Sequence, residues 1–290
     1  MAVWGAERAR WLARLPETVS EFATRWGLDA VDSPFDLSYN YVLAATRHGR
    51  PVVLKLGVPR DEMTCEIAAL RLYDGAGAAR LIEADAAAGA LLLERLEPGE
   101  PLARVAGRDD AAATMIAAEV LRQWRTPPPA GHAFPSVADW GRGFARFRAA
   151  NGGGPGSIPA ALFDRAEALF AELVASSGSA VVLHGDLHHG NILSAGDDGW
   201  LAIDPKGVVG EAEYEAGALL RNPSPSIAAD REVATRRLGQ LAAGLGFDRG
   251  RLRDWAFAQA VLSAVWSIED GTGDGAGALA VAETLAGVAI

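Results

Sequence analysis

Cysteine is almost absent from this sequence, with Cys65 alone among 290 residues. A single cysteine excludes a disulfide within the chain and a zinc site built from cysteines. Long apolar runs are also absent, and no segment approaches the roughly 18 to 20 residues that a membrane span needs. Charges interrupt every apolar run of the first 15 residues, so we expect no signal peptide there. We therefore expect a cytoplasmic protein without membrane contact.

Positive charge is scarce, because 27 Lys and Arg residues stand against 37 Asp and Glu residues, for a formal net charge of −10. A negative surface repels nucleic acid, so we predict no nucleic-acid partner. The same charge weakly favours a cationic small molecule. The sequence carries no oligomerisation signal, and we expect a monomer.

Apolar periodicity divides the chain into two parts. In the first part, helical spacing alternates with short β-type runs, and the polar stretch RHGR between two such runs is typical of a hairpin turn. The predicted elements there are a helix at 5–26, a hairpin at 41–57, a helix at 61–75 and strands at 80–85 and 90–96.

The stretch EPGEP at 97–101 is the best candidate for a boundary, because two prolines and a glycine interrupt regular structure. Beyond it the pattern is mostly helical, with two short β runs at 180–184 and 200–204. The predicted helices are 109–125, 136–150, 159–177, 230–245, 251–269 and 276–289. We therefore predict an α+β chain with a small, β-rich N-terminal lobe at 1–97 and a larger helical C-terminal lobe at 98–290.

Three of the five histidines lie in the stretch HGDLHHGNIL at 184–193. Clusters of histidine and aspartate bind zinc in hydrolases. The possible ligands here are His184, Asp186, His188 and His189. The other two histidines fall in a predicted hairpin turn and a Pro-rich connector, so further ligands would have to be carboxylates. A metal hydrolase is therefore the weaker of two interpretations.

The stronger interpretation rests on the spacing H-x-D-L-x-x-x-N, which His184, Asp186 and Asn191 follow and which is typical of a kinase catalytic loop. In such a loop the aspartate accepts or orients the proton of the attacking hydroxyl, and the asparagine holds Mg²⁺ on the phosphates. A second Mg²⁺ ligand is expected at the end of another short strand, where the chain has Asp204. Oxygen donors suit Mg²⁺, which is a hard cation.

A kinase also needs a lysine on its third strand that pairs with a glutamate on the following helix. Lys55 ends the run VVLK in the second arm of the predicted hairpin, and Glu66 lies eleven residues further on, in the predicted helix. Each residue alone is typical of a solvated surface. Their order before the catalytic loop favours a functional pair and predicts an ATP-dependent kinase.

The stretch HGDLHHGNIL, followed by IDPKGVVGE, resembles the aminoglycoside phosphotransferases, in the branch of streptomycin 6-phosphotransferases and hydroxyurea resistance kinases. Shorter similarities extend over most of the chain, at 91–99, 124–140 and 263–271. The resemblance implies a two-lobed protein-kinase-like fold. It also implies transfer of the γ-phosphate of ATP to an aminoglycoside hydroxyl, with ATP and Mg²⁺ as cofactors.

Residue by residue, the resemblance assigns roles around the nucleotide. Asp186 matches the family's catalytic aspartate, while Asn191 and Asp204 match its Mg²⁺ ligands. Lys55 matches the phosphate-binding lysine, and Glu66 matches the partner of that lysine.

The resemblance also points to two segments that contact the nucleotide. The segment from Glu94 to Leu96 falls where the family's hinge meets adenine, through backbone groups. The loop over the ATP phosphates is often rich in glycine, because small residues let backbone N–H groups approach. Here the corresponding stretch, FDLSYNYV at 35–42, has no glycine, and Ser38 and Asn40 are its candidates for phosphate contact.

The histidines of the catalytic loop are expected to have structural roles. We predict that His184 and His188 brace the loop by hydrogen bonds. His189 is predicted to be an exposed loop residue.

Aminoglycosides are cations, so their site needs carboxylates that pair with ammonium or guanidinium groups. The stretch GEAEYEAG at 210–217 reads as a helix start, where acidic residues also suit the helix dipole. We expect Glu211 and Glu215 to face the ligand. Glu269 and Asp270 form a second acidic group that either reaches the same cleft or is solvated at a helix end.

Three alternatives to a streptomycin kinase stay open. The first is a kinase of another small alcohol, sugar or amine with no role in resistance. The second is a kinase-like binding protein without catalysis, and the intact Asp186, Asn191, Asp204 and Lys55 speak against it. The third is the metal hydrolase, which would retain zinc.

Overall fold

The computed structural model describes residues 2–35 and 40–290, without the side chains of residues 2–8 and 33. The chain begins with α1 (Ala2–Arg25), which is followed by an antiparallel five-stranded sheet of order β1-β2-β3-β5-β4. The strands are β1 (Ala30–Pro34), β2 (Tyr41–Arg47), β3 (Arg50–Leu56), β4 (Leu81–Asp85) and β5 (Ala90–Glu94), and α2 (Asp61–Tyr73) lies between β3 and β4 in sequence.

The predicted hairpin is present as β2 and β3, and its turn explains why it forms. His48 and Gly49 have φ angles of 52° and 70°. Two successive positive φ angles are the pattern of a two-residue type I′ turn, whose twist matches that of the flanking strands. The register sets Lys55 opposite Val42 in β2 and opposite Leu91 in β5. Lys55 therefore lies in the central strand of the sheet.

Both faces of the sheet are covered by helices. On one face, Phe22 and Trp26 of α1 join a buried cluster that includes Leu92 of β5. The alternate residues of β5, Leu91 and Leu93, belong to the opposite face, since neighbouring strand residues point to opposite sides. They share a core with α2 and with the helical half of the chain. This continuous core joins the two halves.

Helices dominate the chain beyond β5. They are α3 (Leu102–Ala106), α4 (Asp110–Gln123), α5 (Val137–Ala150), α6 (Ala160–Ala175), α7 (Ala216–Arg221), α8 (Pro225–Ala228), α9 (Arg231–Leu245), α10 (Arg249–Asp270) and α11 (Ala276–Ala286). α10 is central, because it packs against α5, α6, α7, α9 and α11. It begins at Asp248, whose side chain accepts the N–H of Arg251, and it ends at Gly271 in the left-handed conformation.

Two small antiparallel ribbons interrupt the helical half. β6 (Ala180–Leu183) pairs with β9 (Val208–Glu211), and β7 (Ile192–Ser194) pairs with β8 (Trp200–Ala202). The loop between β6 and β7 and the loop between β8 and β9 therefore lie next to each other. The first contains Asp186 and the second contains Asp204.

The long helices and the hairpin agree with the predictions from sequence, but several short elements do not. Strands β1, β7 and β9 and helix α3 were not predicted, and the expected helix start at 210–217 is in fact the end of β9, a 3₁₀ turn and the beginning of α7. The division into lobes at 97/98 stays a prediction. Among the described residues, every helix is too short or too polar to span a membrane.

Candidate active site

The loop at 184–191 is held in shape by hydrogen bonds of its own side chains. The Nε2 atom of His184 lies 2.8 Å from the carbonyl oxygen of Ile203, and its Nδ1 atom accepts the N–H of Asp186 at 3.2 Å. His188 Nδ1 accepts the N–H of Gly190 at 3.0 Å. Both histidines therefore brace the loop, as the sequence predicts.

His184 can make these bonds only as a neutral ring. It is fully buried, and burial lowers its pKa to about 4 although the Ile203 carbonyl acts in the opposite direction. A neutral imidazole has one donor and one acceptor. The partners assign the proton to Nε2, which donates to Ile203, and the lone pair to Nδ1. This tautomer fixes the backbone N–H of Asp186.

The carboxylate of Asp186 is left free by this arrangement. Its backbone carbonyl accepts the side-chain Nδ2–H of Asn191 at 3.0 Å and the N–H of His188 at 2.9 Å. Within residues 2–35 and 40–290, no hydrogen bond or ion pair engages the carboxylate oxygens. The side chain is partly exposed. A fixed backbone with an unengaged carboxylate suits a group that receives a proton from a ligand.

Asn191 and Asp204 are held side by side. The carbonyl of Asn191 accepts the N–H of Ile203 at 2.9 Å, one residue before Asp204. Asp204 itself has a φ angle of 60°, a left-handed conformation that costs free energy in a residue other than glycine. That conformation turns the carboxylate toward Lys55.

Lys55 joins the sheet, α2 and the second loop at one point. Its Nζ atom lies 2.6 Å from Glu66 Oε1 and 2.9 Å from Asp204 Oδ1. The side chain of Lys55 is 2% exposed and that of Glu66 is 9% exposed, whereas that of Asp204 is 40% exposed. The ion pair predicted from sequence is thus formed, and it extends to Asp204.

Lys55 and each of its two carboxylate partners stabilise each other's charge, whereas the two carboxylates repel each other. Burial alone would lower the pKa of Lys55, but the carboxylates of Glu66 and Asp204 raise it above its ordinary value. Burial raises the pKa of Asp204, and the opposite charge of Lys55 outweighs burial and lowers it. Lys55 and Asp204 are therefore both charged at neutral pH.

The donor atoms suit a hard cation that is also bound by phosphate. Asn191 uses its Nδ2 for Asp186 and Asp204 uses its Oδ1 for Lys55, so Asn191 Oδ1 and Asp204 Oδ2 have no hydrogen-bond partner among the described residues. Two such oxygens leave room for phosphate and water ligands, which Mg²⁺ commonly keeps. No group of three or more His, Cys, Asp and Glu in the described part of the chain could hold a metal. The donor set therefore does not match a His-ligated zinc site.

Glu215 lies beneath the catalytic loop. Both of its carboxylate oxygens accept the N–H of Gly185, at 3.0 and 3.1 Å, and the side chain is buried. Burial raises the pKa of Glu215 to about 7, although the backbone N–H groups of Gly185, His184 and Leu187 act to lower it. Glu215 therefore positions the loop, and its charge changes near neutral pH.

The charge of Glu215 predicts a pH-dependent stability. Its pKa rises from 4.5 to about 7 on folding, so the folded state keeps the proton longer than the unfolded state. Stability should fall by about 3 kcal/mol as pH rises through this window. Glu215→Gln removes this dependence and keeps the shape. We expect the Tm of the variant minus that of the wild type to be larger at about pH 8 than at about pH 5. A constant difference would contradict the assignment.

The other predicted acidic residues are engaged in bonds within the protein. Glu211 is buried and accepts Arg251 Nε at 2.6 Å and Trp255 Nε1 at 2.8 Å. Glu269 forms a two-point ion pair with Arg146, at 2.9 and 2.6 Å. Contact of Glu211, Glu215 and Glu269 with substrate stays a prediction, and these bonds give it no support.

Asp270 ends α10 as an exposed residue, and its contact with substrate also stays a prediction.

The predicted nucleotide contacts at the edge of the sheet are only partly described. Glu94 accepts the N–H of Arg80 at 2.6 Å through its side chain, and Leu96 lies in the segment that follows β5. An adenine contact there would use backbone groups, and it stays a prediction. Ser38 lies outside the described residues.

One histidine prediction is wrong. His189 is 1% exposed rather than solvated. The reason is α3, which was not predicted: the N–H of Ala103 donates to the carbonyl of His189 at 3.1 Å, so this helix covers the residue. A five-residue helix leaves too short a periodic pattern to be predicted.

Two further residues next to Asp186 were not identified from sequence as site residues. A β-carbon on Gly185 would lie 2.7 Å from Trp140 Cη2, so this indole packs directly on the catalytic loop. Arg221 ends α7, donates to Gln259, and acts electrostatically on Asp186. Trp140 lies in the stretch 124–140, which resembles the kinase family, and this resemblance is the only sequence feature that points to it. No sequence feature points to Arg221.

Comparisons with known proteins agree over most of the chain. A family model described as aminoglycoside/hydroxyurea antibiotic resistance kinase matches residues 25–271. Streptomycin 6-kinase of Streptomyces glaucescens is 34% identical over 281 residues, which cover 93% of this chain and 88% of that protein. Hydroxyurea phosphotransferase of Kitasatospora aureofaciens is 35% identical over 277 residues, which cover 92% of this chain and 77% of that protein.

Solved structures share the fold. A choline kinase from Streptococcus pneumoniae has a TM-score of 0.69 at 12% identity, over 95% of this chain and 100% of that chain. An aminoglycoside phosphotransferase in ternary complex with ADP and hygromycin B has a TM-score of 0.65 at 13% identity, over 93% of this chain and 99% of that chain. The predicted α+β, two-lobed protein-kinase-like fold is confirmed.

Proposed function

Since the chain belongs to the family of aminoglycoside and hydroxyurea antibiotic resistance kinases, we propose that it transfers the γ-phosphate of ATP to a hydroxyl of an aminoglycoside, with streptomycin as the first candidate. The observation that carries the proposal is the triad of Lys55, Glu66 and Asp204 beside the unengaged carboxylate of Asp186. Lysine and glutamate pair in this way in active kinases.

Different residues of the site carry out different steps of phosphoryl transfer. Lys55 binds phosphates of the nucleotide, and Glu66 holds its ammonium group in place. Asp186 accepts the proton of the acceptor hydroxyl as the oxygen attacks phosphorus. The bond between the γ-phosphorus and the bridging oxygen breaks, and its electrons leave with ADP.

Asn191 and Asp204 would hold Mg²⁺ through their two unengaged oxygens. When bound, Mg²⁺ neutralises charge on the phosphates. The chain itself positions these oxygens through the bonds of Asn191 to Asp186 and Ile203, and of Asp204 to Lys55.

Aromatic side chains next to the loop support a cationic acceptor. Trp140 and Trp266 are both partly exposed and meet edge to face at 5.7 Å. Within the described part of the chain, neither indole N–H has a hydrogen-bond partner, whereas those of Trp124 and Trp255 do. Indole faces attract cations, and guanidinium groups stack on them. The net charge of −10 acts in the same direction.

The alternative acceptor is a smaller molecule such as hydroxyurea. This alternative is supported by the 35% identity with a hydroxyurea phosphotransferase. The identity with a streptomycin kinase is 34%, so sequence identity does not distinguish the two acceptors. The two acceptors differ in charge, since hydroxyurea is neutral and would gain little from an indole face.

An acceptor panel tests the proposal. ADP release from Mg-ATP is measured with streptomycin, with aminoglycosides that carry only amines, with hydroxyurea and with small amino alcohols. We expect streptomycin to raise the rate at least about tenfold over the acceptor-free rate, because positioning and proton transfer act only on a bound acceptor. Mass spectrometry should find one added phosphoryl group on the acceptor. Stimulation by hydroxyurea or an amino alcohol alone would retain the kinase and refute the aminoglycoside.

A further inference from the structure

The chain contains only two lysines, Lys55 and Lys206, among its 27 basic residues. Both act on the same two carboxylates, those of Asp204 and Glu66. Burial raises the pKa of Asp204, and the charges of Lys55 and then of Lys206 lower it. Burial also raises the pKa of Glu66, and both lysines oppose this. The mechanism described above uses Lys55 and leaves Lys206 without a role.

The backbone of Lys206 is fixed against the catalytic loop. Its N–H donates to the carbonyl of His184 at 2.7 Å. Its own β-carbon lies 3.2 Å from where a β-carbon on Gly185 would stand. The next residue, Gly207, has a φ angle of 63°, and a β-carbon there would lie 2.8 Å from the carbonyl oxygen of Cys65. The backbone of Lys206 is therefore held rigidly between Asp204 and Gly185, the residue that precedes Asp186.

The side chain of Lys206 differs from Lys55 in its surroundings. It is exposed, and its ammonium group has no ion pair or hydrogen bond among the residues described here, whereas Lys55 is buried and doubly paired. An exposed lysine is usually a solvated surface residue. Against that default stands its place: its backbone N–H is bonded to His184, two residues before the proposed proton acceptor Asp186, and it lies two residues after the proposed metal ligand Asp204. The γ-phosphoryl group passes between these two groups in the reaction proposed above.

We propose that Lys206 is a catalytic residue that contacts the γ-phosphoryl oxygens of ATP and remains with that group during transfer. The inference rests on the proposed kinase function. The bond from phosphorus to the ADP oxygen breaks, the bond from phosphorus to the acceptor oxygen forms, and the acceptor proton moves to Asp186. Lys206 keeps its own proton and neutralises charge on the moving group. An ammonium group acts as a compact point charge toward phosphate oxygens.

If Lys206 contacts only the γ-phosphate, its replacement should weaken binding only of nucleotides that carry this phosphate. The affinity for nucleotides therefore tests the proposal without any acceptor. Binding of ADP and of a non-hydrolysable imido analogue of ATP, both with Mg²⁺, is measured by calorimetry for the wild type and Lys206→Met. We expect the Kd for the analogue to rise about tenfold, the effect of losing one charge-assisted contact. The Kd for ADP should change less than about twofold.

Matched variants separate this role from a structural one. Lys206→Arg keeps the charge and should recover part of the affinity for the analogue. Lys55→Met should instead weaken both nucleotides, because Lys55 belongs to the buried triad. Because Lys206 is exposed, its variants should keep the Tm of the wild type within about 2 °C. With an active acceptor, kcat of Lys206→Met should fall about 10²-fold while KM for the acceptor is unchanged.

Two results would overturn the proposal. Equal losses for ADP and the analogue would make Lys206 a general phosphate or structural residue, and no loss for either would make it a solvated surface residue. A wrong acceptor leaves the calorimetric test unaffected, so failure of the acceptor panel and failure of this inference are distinguishable. Absence of nucleotide binding in the wild type would refute both.

Discussion

Replacing Asp186 by Asn is expected to lower kcat about 10²- to 10⁴-fold, the usual contribution of a general base. Asparagine has the same shape but does not accept the proton of the acceptor hydroxyl. The loop should stay intact, because its bonds to His184, His188 and Asn191 use the backbone of residue 186 and not its carboxylate. Steady-state ADP release at saturating acceptor measures the loss of kcat.

Two controls make this result specific to the carboxylate of Asp186. Asp198→Asn changes an exposed carboxylate between β7 and β8 and should leave kcat unchanged. The Kd of Asp186→Asn for ADP should stay within about threefold of the wild type, since the proposed mechanism places the side chain at the acceptor rather than at the adenine. A kcat within about tenfold of the wild type would refute proton transfer to Asp186.

Replacing Lys55 by Met is expected to reduce both stability and nucleotide binding. The substitution leaves Glu66, which is 9% exposed, without its cationic partner, and it removes one bond from Asp204. Breaking a buried ion pair by removing one partner costs about 3 to 5 kcal/mol. Chemical denaturation should report this loss, and calorimetry should report weaker binding of ADP.

A double variant identifies the cause of the lost stability. In Lys55→Met with Glu66→Leu, no unpaired buried carboxylate remains at position 66, and most of the stability should return. Activity should not return, because the cation proposed to bind phosphate is still missing. If the losses of the two single variants simply add, the pair does not interact and the triad has been misread. Arg71→Met, on the exposed side of α2, serves as the control for removal of a cation.

Local sequence was sufficient where neighbouring residues determine the structure. The hairpin turn needs two left-handed residues, and the chain supplies His48 and Gly49 between two β-type runs. The long helices leave a periodic pattern over many residues. The same holds for the catalytic loop, because Asp186 and Asn191 are five residues apart and their bond closes the loop.

Local sequence was insufficient where distant segments determine the structure. β9 exists because β6, more than twenty residues earlier, offers it a ladder of hydrogen bonds. Glu215 was predicted to face a cation, yet it accepts the N–H of Gly185, thirty residues earlier. Glu211 likewise meets Arg251, forty residues later. A carboxylate binds a ligand or braces the protein according to what is packed around it, and the sequence does not show that packing.

The sequence by itself determined the residues of the proposed site: an aspartate, an asparagine and a second aspartate at kinase spacing, with a lysine and a glutamate before them. Residue type and spacing suffice for this, because they define which atoms are chemically able to accept protons, hold Mg²⁺ or pair with phosphate. The tertiary structure alone decided the state of each group. Burial and partners from other elements make His184 neutral, join Lys55 to Asp204, and leave the carboxylate of Asp186 unengaged. These are properties of the surroundings, and only the folded chain brings those surroundings together.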